Sequence, residues 1–199
     1  MEKIILASGS ERRKQFFRLM GLPFTCIPSE IDEKTKHGLS PRETAEELAL
    51  QKTMAVADRI RRQEGGDVKD HWVFGADTIV VLDGAIYGKA ASREAAGKML
   101  GLLSGRRHEV ITAMALYNSH NRTDCRSVSC EVNFAPLSGS EIEWYLDTGE
   151  WEDAAGAYQM QGLGGCLVKS ISGSPSAVAG LPLHDFYVML RENNYPFGG

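Results

Sequence analysis

The sharpest chemical signal in the chain is an aspartate inside an apolar run. Asp77 stands between Val73-Phe74-Gly75-Ala76 and Ile79-Val80-Val81-Leu82, where an ionised carboxylate is costly unless a cation compensates it. Two kinds of compensation would serve. One is a divalent metal or an attacking water held for phosphoryl chemistry; the other is a structural ion pair with Lys89 or an arginine. Glu30, Asp32 and Glu33 form a second acidic group in a polar connection, which alone reads as a solvated loop. It gains meaning only where folding carries it to Asp77.

The turn Ser8-Gly9-Ser10-Glu11-Arg12-Arg13 follows the apolar run Ile4–Ala7 and opens a helical pattern. A helix start offers free backbone N–H groups and a positive dipole end, a seat for phosphate oxygens. Two arginines beside two hydroxyls would extend that seat into a polyphosphate clamp. The competing reading is a serine N-cap with two solvated arginines. The turn has neither the lysine of GxxxxGK[ST] nor the spacing of GxGxxG, so a P-loop and a Rossmann dinucleotide site are both unsupported. In Ala155-Gly156-Ala157-Tyr158-Gln159-Met160-Gln161-Gly162, the glycines permit close approach to a ligand. Tyr158 offers a ring and a hydroxyl, and Gln161 can read a base edge through donor and acceptor together. His108, four residues before Thr112, reads as a structural histidine at a strand start.

These residues need a scaffold that alternates strands and helices. Periodicity and turn chemistry predict a strand at Ile4–Ala7, a helix over Glu11–Met20 and a strand at Phe24–Ile27. The Ser40–Glu43 capping box then opens a long helix to about Arg62. A buried strand run over Trp72–Leu82 ends in the hairpin turn Asp83-Gly84. Ser92 caps a helix with Ala95, Met99, Leu102 and Leu103 on its apolar side. Long antiparallel strands follow at Val110–Tyr117 and Ser127–Phe134 around the turn Asn118–Arg122. A second capping box at Ser138–Glu141 opens a helix carrying Ile142, Tyr145 and Leu146. A strand over Cys166–Ile171 and a helix from Pro182 to about Glu192 complete the pattern. Without repeats or a low-complexity linker, the elements fit one mixed sheet.

The chain has 199 residues, 43% of them hydrophobic, enough for one domain, or two lobes, with a substantial core. Its formal charge of -4 gives no global cationic field for a nucleic acid or an anionic membrane, so an anionic ligand must be met by local positive groups. Cys26, Cys125, Cys130 and Cys166 contain no CxxC pair and read as reduced thiols, with Cys125 and Cys130 on one strand. The apolar run at the start is too short for a signal h-region or a membrane span, and the expected location is cytoplasmic.

Six segments in order resemble the Maf family of nucleotide pyrophosphatases. They are Leu6–Arg13, Gly75-Ala76-Asp77-Thr78, Gly88-Lys89, Ser104-Gly105 with His108, Val110 and Thr112, Ala155–Tyr158 through Gln161-Gly162, and Val178-Ala179-Gly180-Leu181-Pro182. The resemblance spans nearly the whole chain and implies a single Maf-like domain over residues 1–199. Its implied fold is α/β, an elongated mixed β-sheet flanked by helices, with two lobes around a central cleft, as in Maf and ITPase-like proteins. The implied activity is hydrolysis of a nucleoside triphosphate to monophosphate and pyrophosphate, assisted by a divalent metal, magnesium or manganese. Carried over by position, Asp77 is the general base and Glu33 its partner in handling metal and water. Lys89 joins them in catalysis; Arg12, Arg13, Lys52 and Lys89 line the phosphate path, and Ser8 and Ser10 hold phosphate oxygens.

The resemblance also implies two substrate groups, one acting on dTTP and UTP and the other on 7-methyl-GTP. Arg12, Thr78 and Gln161 match the first, which implies pyrimidine nucleotides and room for modified uridine forms. Glu11 and Ala90 stand where the family usually has proline, and Trp151–Ala154 departs from the family pattern. Glu11 could pair with an arginine or weaken anion binding. The implied partner is the nucleotide alone, with no nucleic acid and no membrane; the sequence leaves monomer and homodimer open. A non-catalytic nucleotide-binding regulator of cell division is the competing function.

Overall fold

The structure is a computed structural model describing residues 1–33, 38–63, 71–118, 120 and 122–197. The end of the expected acidic connection, residues 34–37, and most of the polar loop after Gln63, residues 64–70, lie outside the described residues, as do residues 119 and 121 of the expected turn.

In chain order the elements are β1 (Ile4–Leu6), α1 (Glu11–Leu19), β2 (Phe24–Cys26), α2 (Pro41–Gln63), β3 (Trp72–Leu82), β4 (Ala85–Tyr87) and α3 (Arg93–Leu103). They continue with β5 (Arg107–Tyr117), β6 (Thr123–Phe134), α4 (Gly139–Asp147), a 3-10 turn (Leu163–Leu167), β7 (Val168–Ser172), α5 (Pro175–Val178) and α6 (Leu183–Glu192). The strands pair in the order β2-β1-β3-β5-β6-β7, with β4 on β3. β1 runs parallel to β2 and β3, whereas β3–β4 and β6–β7 are antiparallel. The expected mixed α/β sheet is therefore present. β5 and β6 begin three and four residues earlier than the apolar pattern suggested, because the strands run on through Arg107–Glu109 and Thr123–Arg126, which are almost all polar and carry no apolar signal. Cys166 lies in the 3-10 turn rather than in β7.

The chain divides into two compact units, one of Met1–Asp77, Thr112–Val128 and Gly180–Gly199, the other of Thr78–Ile111 and Ser129–Ala179. In the first unit, strand alternation sends side chains to two cores. Ile4 and Leu6 of β1, Trp72, Phe74 and Ala76 of β3, and Met114 and Leu116 of β5 pack with Phe17 of α1 and with Phe186, Met189 and Leu190 of α6. Ile5, Ala7, Val73 and Tyr117 pack with Val56, Ala57 and Ile60 of α2. Gly75 and Asp77 share the face of Val73, the face covered by α2.

Gly75 is the tightest point of that packing. A Cβ there would lie 2.5 Å from Thr53 Oγ1 and 3.1 Å from both Ala49 O and Thr53 N, closer than atoms of a packed interior approach. Thr53 is itself fixed, its buried hydroxyl lying within bonding distance of Ala49 O (2.9 Å) and Ala115 O (3.1 Å). Only glycine lets α2 come this close, and Lys52 comes with it. Gly75→Ala is expected to lower unfolding stability by about 2 kcal/mol through overpacking, read as a lower urea midpoint at unchanged slope.

In the second unit, α3 buries Ala96, Leu100 and Leu103. Leu103 is buried as expected, but Ala96 and Leu100 take the core positions expected of Ala95 and Met99, and Leu102 is 46% exposed. Ser92 and Ser138 cap α3 and α4 as their sequences suggested, accepting from Ala95 N–H and Glu141 N–H, with a complete capping box at Ser138. Asp83 and Gly84 both adopt positive φ in the β3–β4 turn, as a tight hairpin requires. The four cysteines are free thiols, with Cys125 and Cys130 both on β6.

Candidate active site

The carboxylate that breaks the apolar run of β3 is compensated by Lys52. The Lys52 ammonium lies 2.6 Å from Asp77 Oδ1 and 2.8 Å from Glu33 Oε1. The Asp77 side chain is only 10% exposed, while that of Glu33 is 50% exposed. One ammonium is thus shared by two carboxylates distant in sequence, and of the second acidic group Glu33 meets Asp77 through Lys52, whereas Glu30 pairs with Arg59 at 3.4 Å. Lys89 is not the compensating group; its ammonium pairs at 3.0 Å with Asp153 on the surface of the second unit.

The Ser8–Arg13 turn belongs to the same unit. Ser8 Oγ is buried and accepts from Ser10 N–H (3.1 Å) and Arg13 Nη1 (3.3 Å), which leaves the hydroxyl's own hydrogen to a third group. Arg13 Nε donates to Gly180 O (3.0 Å), and Gly180 has a positive φ of 102°. The motif around Gly180, noted in the sequence without a role, therefore orients an arginine 167 residues away. Ser10 occupies the N-cap of α1, yet its side chain makes no capping bond, unlike Ser92 and Ser138. The serine-cap reading does not describe this turn.

Withdrawal of its guanidinium from solvent lowers the Arg13 pKa to about 10, with Arg12 lowering it too and Asp77 and Glu33 raising it. Arg13 stays charged at neutral pH and lies in the field of both carboxylates. Glu11 turns along α1 to Arg18 (2.7 Å) and Lys14 (3.3 Å). The Arg18 hydrogen bond is the main reason its carboxyl titrates below the usual range.

Thr78, Lys89 and Gln161 belong to the second unit. Thr78 follows Asp77 on β3 and is partly exposed. Gln161 is exposed, its Nε2 donating to Gln159 Oε1 (2.9 Å). The glycines on either side of it approach protein, not ligand: a Cβ on Gly156 would sit 2.7 Å from Val80 Cγ2, and one on Gly162 2.5 Å from the Glu150 carboxylate. Tyr158 is likewise a core residue, its ring edge-on to Phe134 and its hydroxyl 2.9 Å from His108 Nε2. Glu150 and Gln159, which organise this loop, were missed in the sequence. The available signal was Gly162 and Gly164, whose missing Cβ atoms leave room for the Glu150 carboxylate and the Gln159 backbone.

His108 is structural, as expected, and buried, with Nδ1 meeting no partner among the described residues. Burial pushes its pKa down to about 4, against about 6.5 in an unfolded chain. Between those values the unfolded state binds a proton that the folded state refuses, so stability falls as pH drops from 6.5 through 4. The expected loss is about 3 kcal/mol by pH 4, seen as a lower urea midpoint. His108→Gln should flatten that part of the profile.

The fold is shared with solved α/β proteins: the Ham1 protein of Staphylococcus aureus, 16% identical, has a TM-score of 0.53 over 97% of this chain and 100% of that one. The HAM1 protein of Coxiella burnetii, 17% identical, has a TM-score of 0.50 over 96% and 100%. Residues 3–193 match the family described as Maf-like protein, and the chain belongs to that family, as its six motifs implied. Its relatives include the dTTP/UTP pyrophosphatase of Symbiobacterium thermophilum, 45% identical over 98% of this chain and 96% of that one. Those of Bacillus velezensis (42%, covering 97% of each chain) and Escherichia coli K12 (39%, covering 98% and 94%) carry the same name.

Proposed function

We propose that this chain is a cytoplasmic, metal-assisted nucleoside triphosphate pyrophosphatase, residues 1–199 acting as one domain on dTTP and UTP. The observation that carries this reading is the shared cation position, with Asp77 and Glu33 both on Lys52 Nζ at 2.6 and 2.8 Å in the field of Arg13. The names of relatives at 39–45% identity support the substrate class.

In this reading Asp77 orients a water and takes its proton as the oxygen attacks the α-phosphorus. The bond from that phosphorus to the bridging oxygen breaks, and pyrophosphate departs with the bridge electrons. Arg13, held by Ser8 and Gly180, neutralises charge on the leaving phosphates together with Arg12. Ser8 gives its remaining hydrogen, and the uncapped start of α1 its N–H groups, to phosphate oxygens. Lys52 balances the Asp77 carboxylate and holds it in place at 2.6 Å before substrate and ion arrive. Thr78 and Lys89 are assigned supporting roles toward substrate, and Gln161 the reading of the base.

The residues fit a divalent ion. Asp77 and Glu33 offer two hard carboxylate oxygens that meet at the Lys52 ammonium, so an ion would take that position with Lys52 turned aside; among the described residues no group of three or more His, Cys, Asp or Glu could hold an ion. Asp77 and Glu33 would therefore hold magnesium or manganese with water and phosphate oxygens completing the set. When bound, the ion supplies charge neutralisation and a more acidic water.

Incubation with UTP, dTTP, CTP, GTP and 7-methyl-GTP in magnesium, resolving pyrophosphate from orthophosphate, tests the reading. Pyrophosphate with UMP or dTMP is expected. Orthophosphate as first product would overturn it, and preferred turnover of 7-methyl-GTP would overturn its substrate choice.

A further inference from the structure

Every polar group of Gln159 is engaged. Its N–H donates to Tyr145 Oη (3.0 Å), its carbonyl accepts from Gly162 N–H (3.1 Å), its Nε2 donates to Glu150 O (2.7 Å), and its Oε1 accepts from Gln161 Nε2 (2.9 Å). Glu150 O cannot change sign, because a backbone carbonyl only accepts. The residue presenting it is pinned too: the Glu150 carboxylate accepts from Leu163 N–H (3.1 Å) and Gly164 N–H (3.3 Å), and Glu150 N–H donates to Thr148 Oγ1 (3.1 Å). The order of donors and acceptors is therefore forced outward along the chain. Nε2 of Gln159 must face Glu150 O, so Oε1 must face Gln161, and Gln161 must answer with Nε2.

We propose that Gln159 is a specificity-determining positioning residue. Anchored on Glu150 O, it locks the Gln161 amide with its oxygen outward, selecting uracil and thymine over cytosine. The proposal rests on the reading of Gln161 as the base-recognising residue. At one fixed base position, uracil and thymine present an acceptor at O4 and a donor at N3–H, whereas cytosine presents a donor at N4 and an acceptor at N3. A glutamine free to rotate its amide by a half-turn would serve both equally. A locked one presents its oxygen to N3–H and meets the cytosine N3 lone pair with a second acceptor, leaving polar groups unpaired.

The test compares kcat/KM for UTP and CTP in the wild type, Gln161→Met, Gln159→Glu and Gln159→Lys. Glutamate keeps an acceptor toward Gln161 but sets another acceptor against Glu150 O, releasing the anchor, so the UTP:CTP ratio should fall, though less than with lysine. Lysine keeps the donor toward Glu150 O but turns a donor toward Gln161, reversing its amide; the UTP:CTP ratio should fall by about tenfold or more. A merely structural role would lower both substrates together and leave the ratio unchanged. Gln161→Met should abolish discrimination. If it does not, the reading of Gln161 fails and this proposal with it. If it does, but Gln159→Lys or Gln159→Glu keeps the wild-type ratio, the reading of Gln161 stands and the role of Gln159 is overturned.

Discussion

Asp77→Asn is expected to reduce pyrophosphate release by about 10³-fold while leaving UTP binding within a few-fold of wild type. The substitution is close to isosteric, and an amide oxygen can still accept from Lys52 at the position where Asp77 Oδ1 now does, 2.6 Å away. What disappears is the basicity that takes the water's proton and the charge that draws a divalent ion. A loss confined to kcat, measured by coupled pyrophosphate detection beside calorimetric binding of UTP, is the signature of a group acting in the transition state. Unchanged turnover would remove Asp77 from the chemistry. Binding without turnover in the wild type would favour a nucleotide-binding regulator.

Lys52→Met carries the second large effect, on stability as well as activity. Asp77 would be left buried and ionised without its 2.6 Å partner, whereas Glu33, half-exposed, relaxes into water. Removing one member of a buried pair costs about 3 to 5 kcal/mol because the other stays uncompensated. Glu33→Gln, by contrast, should cost less than about 1 kcal/mol. The diagnostic measurement is the double-variant cycle. Lys52→Met with Asp77→Asn should recover most of the stability lost in Lys52→Met, since no charge remains to compensate. Strictly additive losses would contradict the ion pair as the source of the effect.

The order of strands and helices was legible because periodicity and turn chemistry agree over long stretches, and Asp77 was legible because a charge in an apolar strand stands out. Its partner was not. Lys52 reaches Asp77 only because Gly75 lets α2 settle onto the backbone of β3, a packing fact that one glycine hints at but does not specify. The phase of α3 was ambiguous for a related reason. Ala95-Met99-Leu102 and Ala96-Leu100 both fit a helical period beside Leu103, and the choice depends on contacts such as Leu146 Cδ1 against Gly97, 3.3 Å from where its Cβ would be. In the Gly156–Gly165 loop the glycines marked close approach correctly but not what approaches: Val80, Glu150 and the Gln159 backbone take the space expected for a ligand. Arg13 on Gly180 O shows the same limit, since backbone carbonyls carry no residue identity to read.

The claim on which the account turns is water attack at the α-phosphorus. Hydrolysis of UTP in ¹⁸O-enriched water with magnesium, followed by mass analysis of both products, tests it directly. The expected result is one ¹⁸O in UMP and none in pyrophosphate. Label in pyrophosphate, or in orthophosphate released beside UDP, would place the attack at another phosphorus and contradict it.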